Sequence, residues 1–301
     1  MKRCKFASRI ISMKRQQYFV AGTGVLLLLA LYFFGQTVPT HSRVDAAIGG
    51  AQGSSPVKSI GLQEIRQAYE ARLTPAQQSY VNRLQNAVVR GDVKTQQLNA
   101  NRELAAFWKD SVQDGYLLYA YYAGEAAKLE NSEKSLTFAA QLFLQGLRGQ
   151  DDPALKGWMA TDAKQLFEKA LELNPNNDSS KVGLGASYIF GSSAGSPMEV
   201  MQGIQRILEV ARRDSTNMYA QLMLGWGGLQ SGQFDKAIER LTTVVRHQPA
   251  NIEATLLLAE VHQQKGNKTD AIRWYEAAKK LLGNRESEMV KEIDTRIKSL
   301  R

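Results

Sequence analysis

The chain has 301 residues, 44% of them hydrophobic, and a formal net charge of +9. That length suits one or two domains, and the apolar content excludes general disorder. Seven basic residues (Lys2, Arg3, Lys5, Arg9, Lys14, Arg15 and Arg43) precede the first acidic residue, Asp45, leaving about +2 for the rest. The part expected to fold therefore lacks the basic footprint of a nucleic-acid binder, and no nucleic-acid partner is expected.

Residues 1–16 form a basic tail with the chain's one cysteine, Cys4. A lone cysteine excludes a disulfide framework or a cysteine metal site within one chain. Residues 17–36 follow as an expected transmembrane helix. Its apolar centre runs from Tyr18 to Gly35, with Val25 to Leu31 in the middle. That is about the shortest apolar length that spans a bilayer. Tyr18 and Phe19 mark one end and Tyr32, Phe33 and Phe34 the other, as in interfacial aromatic belts. Six Lys or Arg precede the span and only Arg43 follows closely, which orients the N-terminus inward and the rest outward. The expected location is the inner, cytoplasmic membrane, crossed once, with the C-terminal domain in the periplasm. A cleaved signal peptide is the competing reading. It is disfavoured by the run's length, its bulky Tyr-Phe-Phe end and the distance to the small-residue site at Val44-Asp45-Ala46. Met13 is an alternative start.

Residues 37–59, rich in Gly, Ser, Pro and Ala, read as a flexible linker. Residues 60–130 read as an N-terminal helical region with a degenerate repeat. Leu62, Ile65, Tyr69 and Leu73 have helical spacing. Thr74, Pro75 and Gln77 have the order of a capping box with proline at the first helical position. The helix they open ends near Gly91, and its expected antiparallel partner starts near Val93. A further helix covers Tyr116 to Glu130.

Residues 131–217 read as divergent helical pairs. Ser132 is an expected cap for a helix ending at Gly149. Pro153 opens a long partner that stops before Pro175. Gly183-Leu184-Gly185 lies inside the next helix and is read as close packing, not a phosphate loop. Residues 218–285 hold two adjoining segments with one pattern. Leu224-Gly225, Gly232, Ala237-Ile238, Leu241 and Val244 recur as Leu258-Ala259, Gly266, Ala271-Ile272, Tyr275 and Ala278, 34 residues on. Residues 286–301 form an amphipathic capping helix.

This recurrence, with Pro249 closing the first unit, resembles the tetratricopeptide repeat family. The resemblance implies an all-α, right-handed solenoid of helical hairpins behind the N-terminal transmembrane helix. Departures are Gln221 and Thr255 for an early Trp, Gly228 and His262 for a Tyr, and Gly283 for a Pro. In this family the first helices of each pair make the inner face. Carried over, those positions give a protein-binding groove of Ile189, Phe190, Tyr219, Leu222, Trp226, Leu229, Gln230, Glu260 and Gln263. The alternative is that some of these pack beneath a neighbouring helix. A known subtype grips a carboxyl terminus with Lys and Asn; Leu222, Trp226, Leu256 and Glu260 stand in the matching places and disfavour that mode.

No catalytic, cofactor-binding or metal-binding residues are assigned. His41, His247 and His262 are isolated, and no nucleophile elbow or phosphate-cradling loop occurs. The expected activity is non-catalytic: a protein or peptide partner held near the membrane by a scaffold or assembly factor of the cell envelope. The narrower alternatives are a chaperone-like holder in cytochrome c or outer-membrane protein maturation, or a self-associating structural protein.

Overall fold

The computed structural model describes residues 60–90, 93–191, 196–283 and 288–301. The basic tail, the expected span at 17–36 and the linker lie outside them. Among the described residues no helix is long and apolar enough to cross a membrane. These residues form an all-α solenoid of 13 helices: α1 Leu62–Glu70, α2 Pro75–Arg90, α3 Lys94–Asp110, α4 Tyr116–Glu130, α5 Glu133–Arg148, α6 Pro153–Leu173, α7 Asp178–Gly191, α8 Pro197–Arg213, α9 Met218–Gln230, α10 Phe234–His247, α11 Ile252–Gln264, α12 Lys268–Leu282 and α13 Glu288–Leu300.

Five hairpins dominate the packing: α3–α4, α5–α6, α7–α8, α9–α10 and α11–α12. The first helices of the last four also touch in succession, α5 to α7 to α9 to α11. The pairing at the N-terminal end differs from the sequence expectation. There α3 packs more on α4 than on α2. The reason is apolar area: α2 buries only Val81 and Leu84, whereas α4 buries Leu117, Leu118, Tyr122 and several small residues. Trp108 of α3 is fully buried and meets the rings of Tyr69 and Phe107 edge-on, at 6.1 and 5.4 Å.

Local chemistry starts and stops these helices. Thr74 and Gln77 form the expected capping box: the Gln77 side chain accepts from the Thr74 amide at 3.0 Å, and Thr74 Oγ1 accepts from the Gln77 amide at 3.3 Å. Ser132 precedes α5, but its hydroxyl makes no cap hydrogen bond. Asp152 does cap α6, accepting from Ala154 and Leu155 behind Pro153. Asn177, Asn217 and Asn251 cap α7, α9 and α11 alike, each Oδ1 accepting from the amide three residues on, at 2.9 to 3.0 Å. Gly232 and Gly266 end α9 and α11 with φ of 71° and 85°. In both turns the next residue's amide reaches back five residues, Gln233 to Gly228 and Asn267 to His262, each at 2.8 Å. This is the Schellman arrangement, which needs a left-handed residue that glycine supplies without strain.

Small residues set the helix spacing. A Cβ on Gly185 would lie 2.6 Å from Ile207 and 2.7 Å from the Gly203 carbonyl oxygen, so the backbones of α7 and α8 meet directly. A Cβ on Gly225 would meet the Leu241 side chain at 2.5 Å. One apolar core runs from Ile65 to Val261, and a second joins Ala259, Ala271, Tyr275 and Ala278 to Ile293, Ile297 and Leu300 of α13. Helix α13 therefore closes the stack with one apolar face, as a cap requires.

This packing sets two expectations for stability. Gly185→Ala gains roughly 1 kcal/mol of helix propensity but overpacks a fixed backbone contact by about 1–3 kcal/mol; net destabilisation is expected as a lowered urea midpoint. Asp162 of α6 is the second site. Burial pushes its carboxyl up to about 6, Lys128 opposes the rise and Glu125 adds to it. A carboxylate whose pKa is higher folded than unfolded favours the fold below its unfolded value, and that advantage is lost as pH rises through the folded one. Asp162→Asn should raise the melting temperature above pH 6, with the gain over wild type vanishing near pH 4.

Candidate protein-binding surface

The capped first helices α5, α7, α9 and α11 lie side by side, and their row curls. Arg148, at the end of α5, forms an ion pair with Glu253, at the start of α11, although they are 105 positions apart and two first helices lie between them. The same Glu253 oxygen accepts from Trp226 Nε1 at 3.0 Å. The Trp226 ring meets Phe190 edge-on, with centroids 5.3 Å apart and planes at 80°. The Arg148 guanidinium sits over the Phe190 ring at 5.7 Å, which closes the circuit. Four helices are thus joined by one charge pair, one charge-assisted hydrogen bond and two contacts to a ring. Arg148 Nε is buried and has no partner among the described residues.

Tyr219 stands beside this circuit. Burial pushes its phenol up to about 12; Arg148 pulls it down and Glu253 raises it. It therefore stays protonated at physiological pH, as a neutral hydroxyl.

Three cavities border the circuit. One of about 480 Å³ lies between α9, α11, α12 and α13, lined by Trp226, Glu253, Leu256, Glu260, Met289 and others. A second, of about 340 Å³, lies between α5, α7, α8 and α9 and is lined by Arg148, Phe190, Trp226 and Gln230. A third, of about 530 Å³, includes Gln141, Gln145, Arg148, Ser179 and Tyr219. Trp226 is the wall shared by the first two.

The nine residues expected to line a groove divide into two sets. Ile189, Phe190, Leu222 and Leu229 are buried in the continuous core, each at most 7% exposed. That burial has a physical reason, and Ile189 and Phe190 still line the cavity of about 340 Å³. Helix α9 is packed on nearly every side, by its own partner α10, by α8 and by the first helices before and after it. Positions that face inward on an isolated hairpin are covered in the stack. Tyr219, Trp226, Glu260 and Gln263 are half-buried, and Gln230 is exposed. Gln263 accepts from the Tyr275 hydroxyl at 2.8 Å and so helps pin α12 to α11. Sequence reasoning missed Arg148 and the tie it makes. Its partner is too far along the chain for any local spacing to reveal it. It also missed Tyr275 of α12 and Met289 and Arg296 of α13 as cavity walls, which only the packing of these helices brings together.

Among the described residues no group of three or more His, Asp, Glu or Cys is placed to hold a metal ion. His262 is buried, its Nδ1 is without a hydrogen-bond partner, and Asp270 lies 3.9 Å away. Burial lowers its pKa, which favours the neutral ring. His247 Nδ1 lies 2.9 Å from the Thr243 carbonyl at the end of α10.

Residues 222–285 match the tetratricopeptide repeat family. No curated protein sequence matches the chain. Among solved structures, a thermophilic tetratricopeptide repeat protein of Thermus thermophilus is similar over 69% of this chain and 98% of its own, with 15% identity and a TM-score of 0.50. MamA of Desulfovibrio magneticus RS-1 is similar over 63% of this chain and 97% of its own, at 18% identity and a TM-score of 0.43. PilW, a widely conserved type IV pilus biogenesis factor, is similar over 67% and 92%, at 18% identity and a TM-score of 0.44. At 15% identity the likeness to the Thermus thermophilus protein is one of fold alone. The asparagine caps and glycine turns that recur at 34 residues agree with the family match: residues 222–285 are tetratricopeptide repeats.

Proposed function

We propose that this chain is a non-catalytic, membrane-anchored scaffold or assembly factor that holds a segment of a partner protein against the curled row of its first helices. The observation that carries the reading is the position of Trp226. It is a half-buried aromatic that walls two cavities, hydrogen-bonded and ring-stacked so that its side chain is fixed before a partner arrives. Large aromatics held rigidly beside pockets carry most of the energy of protein recognition, because little side-chain freedom is lost on binding. The apolar run at 17–36, with six cations before it, supports a single inward-to-outward membrane crossing and a periplasmic repeat domain. Tethering would raise the effective concentration of the groove for partners in the same membrane.

The test is in-cell cross-linking of the full chain followed by partner identification. Trp226→Ala also removes packing worth about 3–5 kcal/mol, so two gentler variants accompany it. Trp226→Phe keeps a ring but loses the Nε1 donor, and Gln230→Arg places a bulky charge at an exposed site. Reduced cross-linking to the same partner is expected in all three. Unchanged cross-linking in both Trp226→Phe and Gln230→Arg, with native helical circular dichroism, refutes the reading. A reporter fused after Arg301 should be active only outside the cytoplasm; activity inside it refutes the proposed topology.

A further inference from the structure

The cavity between the last repeat and the capping helix has a chemistry of its own. Its walls are mainly apolar: Ile252, Leu256, Leu257, Ile293 and the half-exposed Met289. Three charged side chains reach it besides Glu292, and their pairing is uneven. Glu253 is tied to Arg148 and Trp226. Arg296 donates to Glu292 at 2.7 and 3.1 Å and to the Tyr275 hydroxyl at 3.3 Å, which neutralises Glu292 as well. Glu260, by contrast, is half-buried on α11 and has no hydrogen bond or ion pair among the described residues. A partly desolvated carboxylate at the edge of an apolar cavity attracts a cation and disfavours an anion.

We infer that this cavity takes a partner segment that presents an apolar side chain next to a lysine or arginine, the apolar group filling the space above Leu256 and Ile293 and the cation pairing with Glu260. This rests on the reading of the first-helix row as the binding face and specifies the partner's chemistry there. It inverts the charge preference of a site that grips a carboxyl terminus. A volume of about 480 Å³ lies within the usual range of roughly 300–1,000 Å³ for small-ligand pockets, ample for a Leu, Met or Phe side chain.

The probes are two fluorescent synthetic peptides of equal length sharing a Leu-Phe-Leu core, one flanked by lysines and one by glutamates. Binding is read by anisotropy against the full chain in neutral detergent micelles, and the site by a benzoylphenylalanine photo-cross-linker at Met289. The lysine peptide should bind about five- to tenfold more tightly than the glutamate peptide, the worth of one partly desolvated charge pair. Glu260→Gln should erase most of that difference and the salt dependence that accompanies it, while Trp226→Phe weakens both peptides. The lysine peptide should be the species cross-linked at Met289. Equal binding of the two peptides, or discrimination that survives Glu260→Gln, overturns the inference. Cross-links from Met289 to a second copy of the chain or to its own residues 1–16 also overturn it, because the occupant is then the chain itself. Peptide binding that responds to Trp226→Phe but not to Glu260→Gln overturns it while leaving the first-helix reading intact. If neither variant affects peptide binding, and cellular cross-links are equally indifferent to Trp226, both readings fail.

Discussion

Each hairpin in this chain leaves an apolar face that only the next hairpin covers, and this dependence governs everything else in the fold. It shows in the continuous core from Ile65 to Val261. No hairpin within that stretch owns a separate core, so none has an independent claim to stability. The dependence holds only while helices approach closely. At Gly185 against Gly203 a single added carbon would meet backbone and prise the pair apart, whereas at Gly225 it would press on the Leu241 side chain. Such contacts transmit spacing along the stack. A shift at one hairpin alters the curl of the first-helix row and with it the distance that Arg148 must cross to reach Glu253.

That tie reports the curl more than it creates it. An ion pair with 26% and 37% of its two side chains exposed contributes modestly to stability, since part of its attraction repays desolvation. Its value is geometric. Guanidinium and carboxylate bond well in few orientations, and here the carboxylate oxygen is shared with the Trp226 indole. The arrangement fixes where the aromatic wall stands between two cavities. Arg148 is held in turn by the face of Phe190, a residue that is itself core. The residues that shape the proposed binding face are thus anchored in the same apolar mass that stabilises the repeat.

Much of this architecture was legible in the chain. The 34-residue recurrence of Gly232 and Gly266 corresponds to two identical Schellman turns. Pro153, Pro175 and the Thr74–Gln77 box bound their helices as local rules require. The phase of the first hairpin was not legible. The connections on both sides of α3 are short, and the choice of partner depends on how much apolar surface α2 and α4 offer, which is a tertiary comparison. The Arg148–Glu253 tie was beyond any local pattern for a related reason: it exists only because four first helices curl together.

The mixed fate of the candidate groove residues has a more instructive cause. Periodicity identifies a core-facing stripe only when a helix has a solvent-facing side to contrast with it. The outer helix α10 has one, burying just Ala237, Leu241 and Val244. The inner helix α9 buries nine of its 13 residues around nearly its whole circumference. Its sequence, Met-Tyr-Ala-Gln-Leu-Met-Leu-Gly-Trp-Gly-Gly-Leu-Gln, has no polar face, and that absence was the available signal. In such a helix, being apolar marks a residue as core, and a polar tip marks surface only where it is not itself buried and bonded inside the stack, as Gln221 is to Ser215 and Arg240. Tyr219, Trp226 and Gln230 meet that criterion on α9; Leu222 and Leu229 do not. Glu260 and Gln263 meet it on α11, and the two differ in one respect: Gln263 is bonded to Tyr275, whereas Glu260 faces a cavity with its charge unmatched among the described residues. Polarity on an otherwise buried helix thus narrows the choice of surface positions, and buried Gln221, Thr255 and His262 show that packing makes the final selection.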